Sequence, residues 1–334
     1  MHSQKGSVII SGIGSHLPEK VLTNQDLSKI VDTSDEWILS RTGIRQRHIC
    51  SGEECTSDLA TAAARKALDD AGLTTEDIDL LIVATIPPDM PFPSTACIVQ
   101  SKLGLGQIAA FDVEAACSGF LYTLDMASAM INSGRYRNAI VIGAEKLSSI
   151  IDWKDRATCV LFGDGAGAAV LSRSDEPNTG ILDSCLHADG QRPELLLMPA
   201  GGSKMPASKG SLKERQHYLK MNGKEIFKFA VRGMERAAKE ILDRQNFAFH
   251  DIDRIIPHQA NIRIIETIQE RLEIPQEKFY NNLQNYGNTS AASIPIALDE
   301  AYRKGLVQHE DKLLCLAFGA GLTWGSTLIK WHKP

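Results

Sequence analysis

The chain has 334 residues, 43% of them hydrophobic and 23% charged, with a formal net charge of −5. That length allows two domains or one large duplicated one, and the composition is that of a globular chain with a large core. The acidic balance excludes a nucleic-acid binder that relies on overall positive charge, and no apolar run approaches the ~18 residues of a membrane span.

Met1 to Ser7 leads straight into Val8-Ile9-Ile10, with no apolar leader segment or cleavage site before it, so no secretory signal is expected. The seven cysteines are odd in number and scattered. Cys97, Cys159, Cys185 and Cys315 lie in apolar contexts and read as core. Cys50 and Cys55 flank a Gly-Glu-Glu loop with no second ligand cluster. Reduced thiols, no metal and a cytoplasmic location are therefore expected.

Leu59, Ala63, Ala67 and Ala71 recur at helical spacing and lead, through a polar loop, to an apolar strand ending near Thr85. Thr95 to Leu103 predicts a second helix, and Ile108 to Val113 a buried strand. Glu114-Ala115-Ala116-Cys117-Ser118-Gly119-Phe120 comes next, and Leu121 to Ile131 reads as a helix closing at Ser133-Gly134. Cys117 thus sits where a strand turns into a helix N-terminus. Unpaired N–H groups and the helix dipole stabilise negative charge there. A thiol so placed tends toward the nucleophilic thiolate. A small cysteine packed in a tight turn is the other reading of the same residue. Ala139 to Gly143 is a further strand. Gly163-Asp164-Gly165 precedes another, Ala168 to Leu171, so it reads as a turn; a phosphate loop would open a helix.

The polar stretch Ser172 to Asn178 is the expected boundary between two halves, 1–176 and 177–334. His187 to Lys220 is irregular and rich in Gly, Pro, Lys and Ser, as lids and mouth-lining segments are. The plan of Thr61 to Thr85 then recurs in Gly233 to Gln259: amphipathic helix, polar loop, Ile-Asp step, apolar strand. A helix follows over Ile262 to Leu272, and a strand over Leu313 to Phe318. Duplicated αβ units imply a layered α/β architecture with a mainly parallel sheet in each half. Ligands in such sheets sit beyond the carboxyl ends of strands. On this alignment Cys117 falls opposite the Gly287-Asn288-Thr289 turn, and His258 lies at a third strand end. Singly, His258 reads as structural and Asn288 as a turn residue. Together with Cys117 they form a set suited to acyl transfer with a thiolate nucleophile. A papain-like protease also uses Cys, His and Asn, but in a different order and local signature.

Several strings, taken in order, resemble the β-ketoacyl-[acyl carrier protein] synthase III family of thiolase-like condensing enzymes. They are Ser34-Asp35-Glu36-Trp37 with Arg41-Thr42-Gly43-Ile44-Arg45, the Cys117 elbow, Phe162 to Gly167, Pro257-His258-Gln259-Ala260-Asn261, Gly287 to Ser293, and Phe318 to Gly325. The resemblance implies a thiolase fold of five layers, αβαβα, from two duplicated halves, and a homodimer. It implies the priming condensation of type II fatty-acid synthesis. Cys117 takes the acyl group of a short acyl-CoA, acetyl-CoA for choice. Malonyl-[acyl carrier protein] loses CO2, and its carbanion attacks the acyl-Cys. His258 and Asn288 would stabilise the enolate, and the N–H groups of Cys117 and Ala320 would form the oxyanion hole. Many relatives carry Gly at the Ala320 position. A related Cys-His-Asn enzyme of a specialised polyketide or quinolone pathway is the alternative, and a non-catalytic carrier-binding scaffold a third reading.

The resemblance also implies that Trp37 and Arg156 sandwich the adenine of coenzyme A, with Arg41 toward phosphate. Coenzyme A enters as a thioester substrate, and no cofactor is expected. Phe92, crossing a dimer interface, and Phe318 would bound the acyl pocket. Carrier proteins are acidic, so Lys228, Arg232, Arg263 and Arg271 are docking candidates, with Glu270 standing where relatives often add a base. Neither nucleic acid nor membrane is an expected partner.

Overall fold

The computed structural model describes residues 7–333. Nine strands form one hydrogen-bonded order. They are β1 (Ser7–His16), β2 (Leu80–Ala84), β3 (Ala109–Val113), β4 (Asn138–Glu145) and β5 (Gly165–Ser174), then β6 (Gly180–Ala188), β7 (Arg254–Pro257), β8 (Lys312–Gly319) and β9 (Thr323–Lys330). The spatial order is β7-β8-β9-β6-β1-β5-β4-β2-β3. Strands β1 and β6 join through one residue pair, Val8 with Gly180. The order is therefore two half-sheets meeting at a narrow seam.

Six helices carry the layers: α1 (Thr56–Ala71), α2 (Thr95–Leu103), α3 (Gly119–Asn132), α4 (Gly223–Gln245), α5 (Ile262–Leu272) and α6 (Ser293–Arg303). The strands are apolar on both faces, and period two sorts those faces between different helices. On β8, Leu313, Cys315 and Ala317 join the cluster around α3 and α6, whereas Leu314, Leu316 and Phe318 join the one under α4 and α5. On β4, Ala139 and Val141 face α3, and Ile140 and Ile142 face α1 and α2. Helices α3 and α6 thus lie between the half-sheets, with α1/α2 and α4/α5 outside. This is the five-layered αβαβα arrangement of the thiolase fold. Small residues set the outer spacing: a Cβ on Gly12 of β1 would fall 2.1 Å from Ala67 O on α1.

The two halves run through the same order of elements, except that strand β3 is replaced in the second half by a single bridge, Ile255 with Phe279, and one correction applies to the alignment read from the sequence. A one-turn 3₁₀ segment opens each central helix, Ala116–Ser118 before α3 and Ser290–Ala292 before α6. Ala116 and Ser290, their first residues, share positive φ, 46° and 50°. Cys117 therefore corresponds to Ala291, not to the Gly287-Asn288-Thr289 turn. The extra helical turn Leu283–Tyr286 ahead of Gly287 displaced the register.

Candidate active site

Cys117 lies in the 3₁₀ turn between β3 and α3 and is 9% exposed. Two glycines make room for it. A Cβ on Gly119 would meet Ala84 Cβ at 2.8 Å, and one on Gly319 would meet Cys117 N at 2.7 Å. The end of β8 is thereby pressed against the cysteine backbone. Thr323 staples the two: its hydroxyl donates toward Ala115 O and Ala320 O, each at 3.0 Å. The thiolate expected from the helix terminus is not the resting state. Burial, with the field of Glu145 behind it, pushes the thiol up to about 12, against a hydrogen bond from Ser290 that lowers it. Desolvation outweighs the helix terminus here, and the thiol stands protonated at neutral pH.

His258 follows β7, and its N–H donates to Leu316 O at 2.7 Å. Its Nδ1 lies 2.7 Å from Ser293 Oγ, which also accepts the Gln259 N–H at 3.3 Å. The Ser293 hydroxyl proton is thus assigned to Nδ1, which leaves the ring proton on Nε2. Burial lowers the imidazole to about 3, so the ring is neutral. Asn288 is held by its backbone, donating to Leu161 O at 2.9 Å and accepting from Gly163 N at 3.0 Å. Its Oδ1 accepts the Ser290 N–H at 2.9 Å, which leaves the amide NH2 as a donor. Gly163-Asp164-Gly165 opens β5, as a structural turn should. Buried Asp164 accepts from Cys50 N at 2.8 Å and Ser148 Oγ at 2.6 Å.

Cys117, His258 and Asn288 line one cavity of about 120 Å³, whose apolar wall includes Phe318, Met234 and Phe227. A second cavity of about 90 Å³ touches Cys117 from Ile86, Leu147, Leu197, Met198, Ser290 and Ala320. Sequence reading named Phe318 and Ala320 but missed Ile86, Leu147, Leu197 and Met198, which come from separate segments with no shared motif. It also set Phe92 at the acyl pocket. Phe92 is 84% exposed and lines neither cavity of its own chain. The irregular His187–Lys220 region does reach the site, through Leu196, which lines both cavities.

The remaining candidates lie on the surface. The Arg156 guanidinium stacks on the Trp37 ring, 4.7 Å from its centroid, and donates to Asp32 O at 2.9 Å. The two are together, but closed on each other. Arg41 is exposed in the last turn of the Asp35–Thr42 helix, and its carbonyl accepts from Asn261 Nδ2 at 3.1 Å. Lys228 pairs with Glu225 at 2.7 Å and Arg271 with Glu235 at 2.8 Å, which partly neutralises both. Arg232 and Arg263 are exposed and make no ion pair among the described residues; Arg263 lies 6.0 Å from the Phe227 ring centroid. All seven cysteines are free, Cys50 and Cys55 included. Among the described residues, the one grouping of possible metal ligands, His309, Glu310 and His332, lines neither cavity. Among the described residues, no helix is long and apolar enough to cross a membrane.

Two family models match, 3-oxoacyl-[acyl-carrier-protein] synthase III over residues 111–190 and its C-terminal region over 242–331. A β-ketoacyl-[acyl-carrier-protein] synthase III of Caldanaerobacter subterraneus is 59% identical over 324 residues, 97% of this chain and 98% of that one. The chain belongs to the synthase III family. A solved family member from Aquifex aeolicus superposes with a TM-score of 0.90 at 50% identity, covering 97% of this chain and 100% of that one. The priming β-ketosynthase of the R1128 polyketide pathway superposes with a TM-score of 0.91 at 33% identity, covering 100% and 99%. The two synthase III segments include Cys117, His258, Asn288, Phe318 and Ala320. Trp37, Arg41, Phe92, Lys228 and Arg232 lie outside both.

Proposed function

We propose that this chain condenses a short acyl-CoA, acetyl-CoA first, with malonyl-[acyl carrier protein], releasing CO2 and starting a fatty acyl chain. The observation that carries this reading is the meeting of a buried thiol, a neutral imidazole and an amide donor in one cavity. Cys117 attacks the acyl thioester and holds the acyl group. Decarboxylation of the malonyl group supplies the carbanion, so no base need remove a C–H proton. His258 Nε2–H and the Asn288 NH2 stabilise the enolate oxygen, each worth about 3–4 kcal/mol by analogy with such donors. The N–H groups of Cys117 and Ala320 receive the tetrahedral oxyanion. A methyl at Ala320 leaves its N–H free to donate.

The small second cavity supports a short primer, since about 90 Å³ holds only a few carbons. Trp37 and Arg156 would part to take adenine between them, with Arg41 toward phosphate. Arg232 and Arg263, with Lys228 and Arg271 beside them, would dock the acidic carrier protein. Exposed Phe92 and the half-buried residues of edge strand β3 favour a homodimer, in which Phe92 would reach its partner's acyl pocket. The halves would divide near residue 176, between β5 and β6. The resemblance to a priming ketosynthase of a polyketide pathway keeps one second reading, with the same chemistry and a different primer. A panel of acetyl- to decanoyl-CoA with malonyl-[acyl carrier protein] separates them. Highest turnover with acetyl-CoA supports the proposal, and preference for a long or branched primer supports the alternative.

A further inference from the structure

A ring nitrogen of His309, a carboxylate oxygen of Glu310 and a ring nitrogen of His332 lie within 4.8 Å of one another. Backbone pairing brings them together. Gln308 to Asp311 forms a tight turn ahead of β8: the Asp311 N–H donates to Gln308 O at 3.1 Å, and Asp311 Oδ2 accepts the Gln308 N–H at 2.7 Å. The residues after β9 are pinned to that turn. The Glu310 N–H donates to Trp331 O and the Trp331 N–H to Asp311 O, each at 2.8 Å. Glu310 holds φ 74° in this arrangement. The imidazoles of His309 and His332 consequently face each other with ring centroids 5.0 Å apart.

Two of the three groups have one polar atom engaged and one to spare. Lys330 Nζ lies 2.5 Å from Glu310 Oε2, which leaves Oε1, 3.8 Å from His309 Nε2. Glu176, in the link between β5 and β6, stands 3.3 Å from His332 Nε2. The other ring nitrogen of His332, Nδ1, is buried and has no hydrogen-bond partner among the described residues. A polar atom removed from water without a partner costs free energy, and a cation would satisfy it. A carboxylate on one ring nitrogen is also how metal-binding histidines are held, since it fixes the proton there and turns the other lone pair toward the ion. The 3.8 Å between Nε2 and Oε1 is close to the roughly 3.3 Å that separates ligands around a tetrahedral ion with bonds of about 2 Å. Rotation of half-exposed side chains closes the difference, with the backbone left in place.

We propose that His309 Nε2, Glu310 Oε1 and His332 Nδ1 bind one divalent transition-metal ion, Zn2+ being the best match, with water completing its shell. Two imidazoles and a carboxylate select that class over Mg2+ and Ca2+, which take oxygen ligands. The ion fastens the Gln308 to Asp311 turn to the chain beyond β9. Through Glu176 it also reaches the link between the two half-sheets. Its role is structural and separate from the condensing site, since none of the three ligands lines either cavity at Cys117. The Lys330 ammonium on Glu310 Oε2 repels a cation and limits the affinity.

The experiment titrates the full-length protein, without a histidine tag and stripped with EDTA, with Zn2+ in a calorimeter, and with Mg2+ as the control. The expected result is one Zn2+ site per chain that His309→Ala and Glu310→Gln each weaken at least tenfold, with no binding of Mg2+. Zn2+ held by cysteines elsewhere is common to wild type and variants and cancels in the comparison. Both substituted side chains are exposed, so the variants should fold and acetylate Cys117 at the wild-type rate. Zn2+ at a hundredfold excess over its Kd should raise the unfolding midpoint of the wild type by about 4 °C more than that of His309→Ala. No Zn2+ binding, equal binding by wild type and both variants, or an equal response to Mg2+ would each overturn the proposal.

Discussion

Ala116 and Ser290 hold the same left-handed backbone at corresponding points of the two halves, with φ of 46° and 50°. Neither is glycine, and such a conformation carries strain that the surrounding fold must hold. Each lies one residue before the segment that meets the other half at the site: Cys117 on one side, Ala291 on the other. The duplication has thus kept the turn and divided the chemistry. One copy carries the nucleophile, and the other brings Ser290 to the cavity that Cys117 lines.

The two polar donors separate the half-reactions. His258→Ala and Asn288→Ala are expected to take an acetyl group on Cys117 at near the normal rate, since neither is needed for that attack. Each should release CO2 from malonyl-[acyl carrier protein] 10²–10³-fold more slowly, the cost of one preorganised donor. Single-turnover labelling and CO2 release check the two steps separately. Normal decarboxylation by either variant removes the role assigned to that residue.

How far this was legible in the sequence varied with the element. Helices α2 and α5 begin and end where the sequence reading placed them, because their caps are local. Ser94 accepts from Cys97 N and Gly104 closes α2 with φ 74°, while Asn261 accepts from Arg263 N at the start of α5. Helix α4 begins at Gly223, upstream of the repeat read from Gly233, and its first turns present Ile226 and Phe227 to a cavity as well as to the core. Cys117 and His258 were legible as strand-end residues; Asn288 instead follows the helical turn Leu283–Tyr286 and is held by a bridge to Phe162. The second cavity was not legible, since Ile86, Leu147 and Leu197 meet only in the folded chain. The state of the thiol was not legible either, because a helix terminus is local whereas burial is a property of the whole fold.

The neutral state of His258 has a consequence for stability. Its folded pKa lies near 3, below the ~6.5 of an unfolded chain. Below pH 6.5 the unfolded chain gains a proton that the folded one refuses, so stability falls with falling pH and is unaffected above that range. Between pH 7.5 and 5.5 the wild type should lose about 1.4 kcal/mol more than His258→Asn. Urea unfolding at the two pH values measures this. An equal loss in both proteins would show that His258 titrates normally.

If Trp37 and Arg156 hold adenine as proposed, their stack opens to admit it. Trp37→Ala and Arg156→Ala are expected to raise KM for acetyl-CoA about 5- to 30-fold, in line with lost stacking of about 1–2 kcal/mol. Turnover at saturating substrate should change little. Arg156→Lys should not rescue, because a lysine has no planar face. An unchanged KM in all three would place the nucleotide elsewhere.

Charge reversal tests docking. Arg232→Glu with Arg263→Glu should raise KM for malonyl-[acyl carrier protein] at least tenfold at low salt, and leave acetylation by acetyl-CoA untouched. The difference from wild type should shrink as salt rises, since these side chains are exposed. A salt-independent defect, or a matching loss of acetylation, would argue against a docking role.

The central claim is that Cys117 carries an acyl group and passes it to a malonyl-derived carbanion. The most direct measurement incubates the enzyme with carbonyl-labelled acetyl-CoA, digests it, and locates the label by mass spectrometry before and after malonyl-[acyl carrier protein] is added. The account predicts label on Cys117 alone, then its transfer into a β-ketoacyl thioester with release of CO2. Label absent from Cys117, or label that stays there after the second substrate is added, would contradict it.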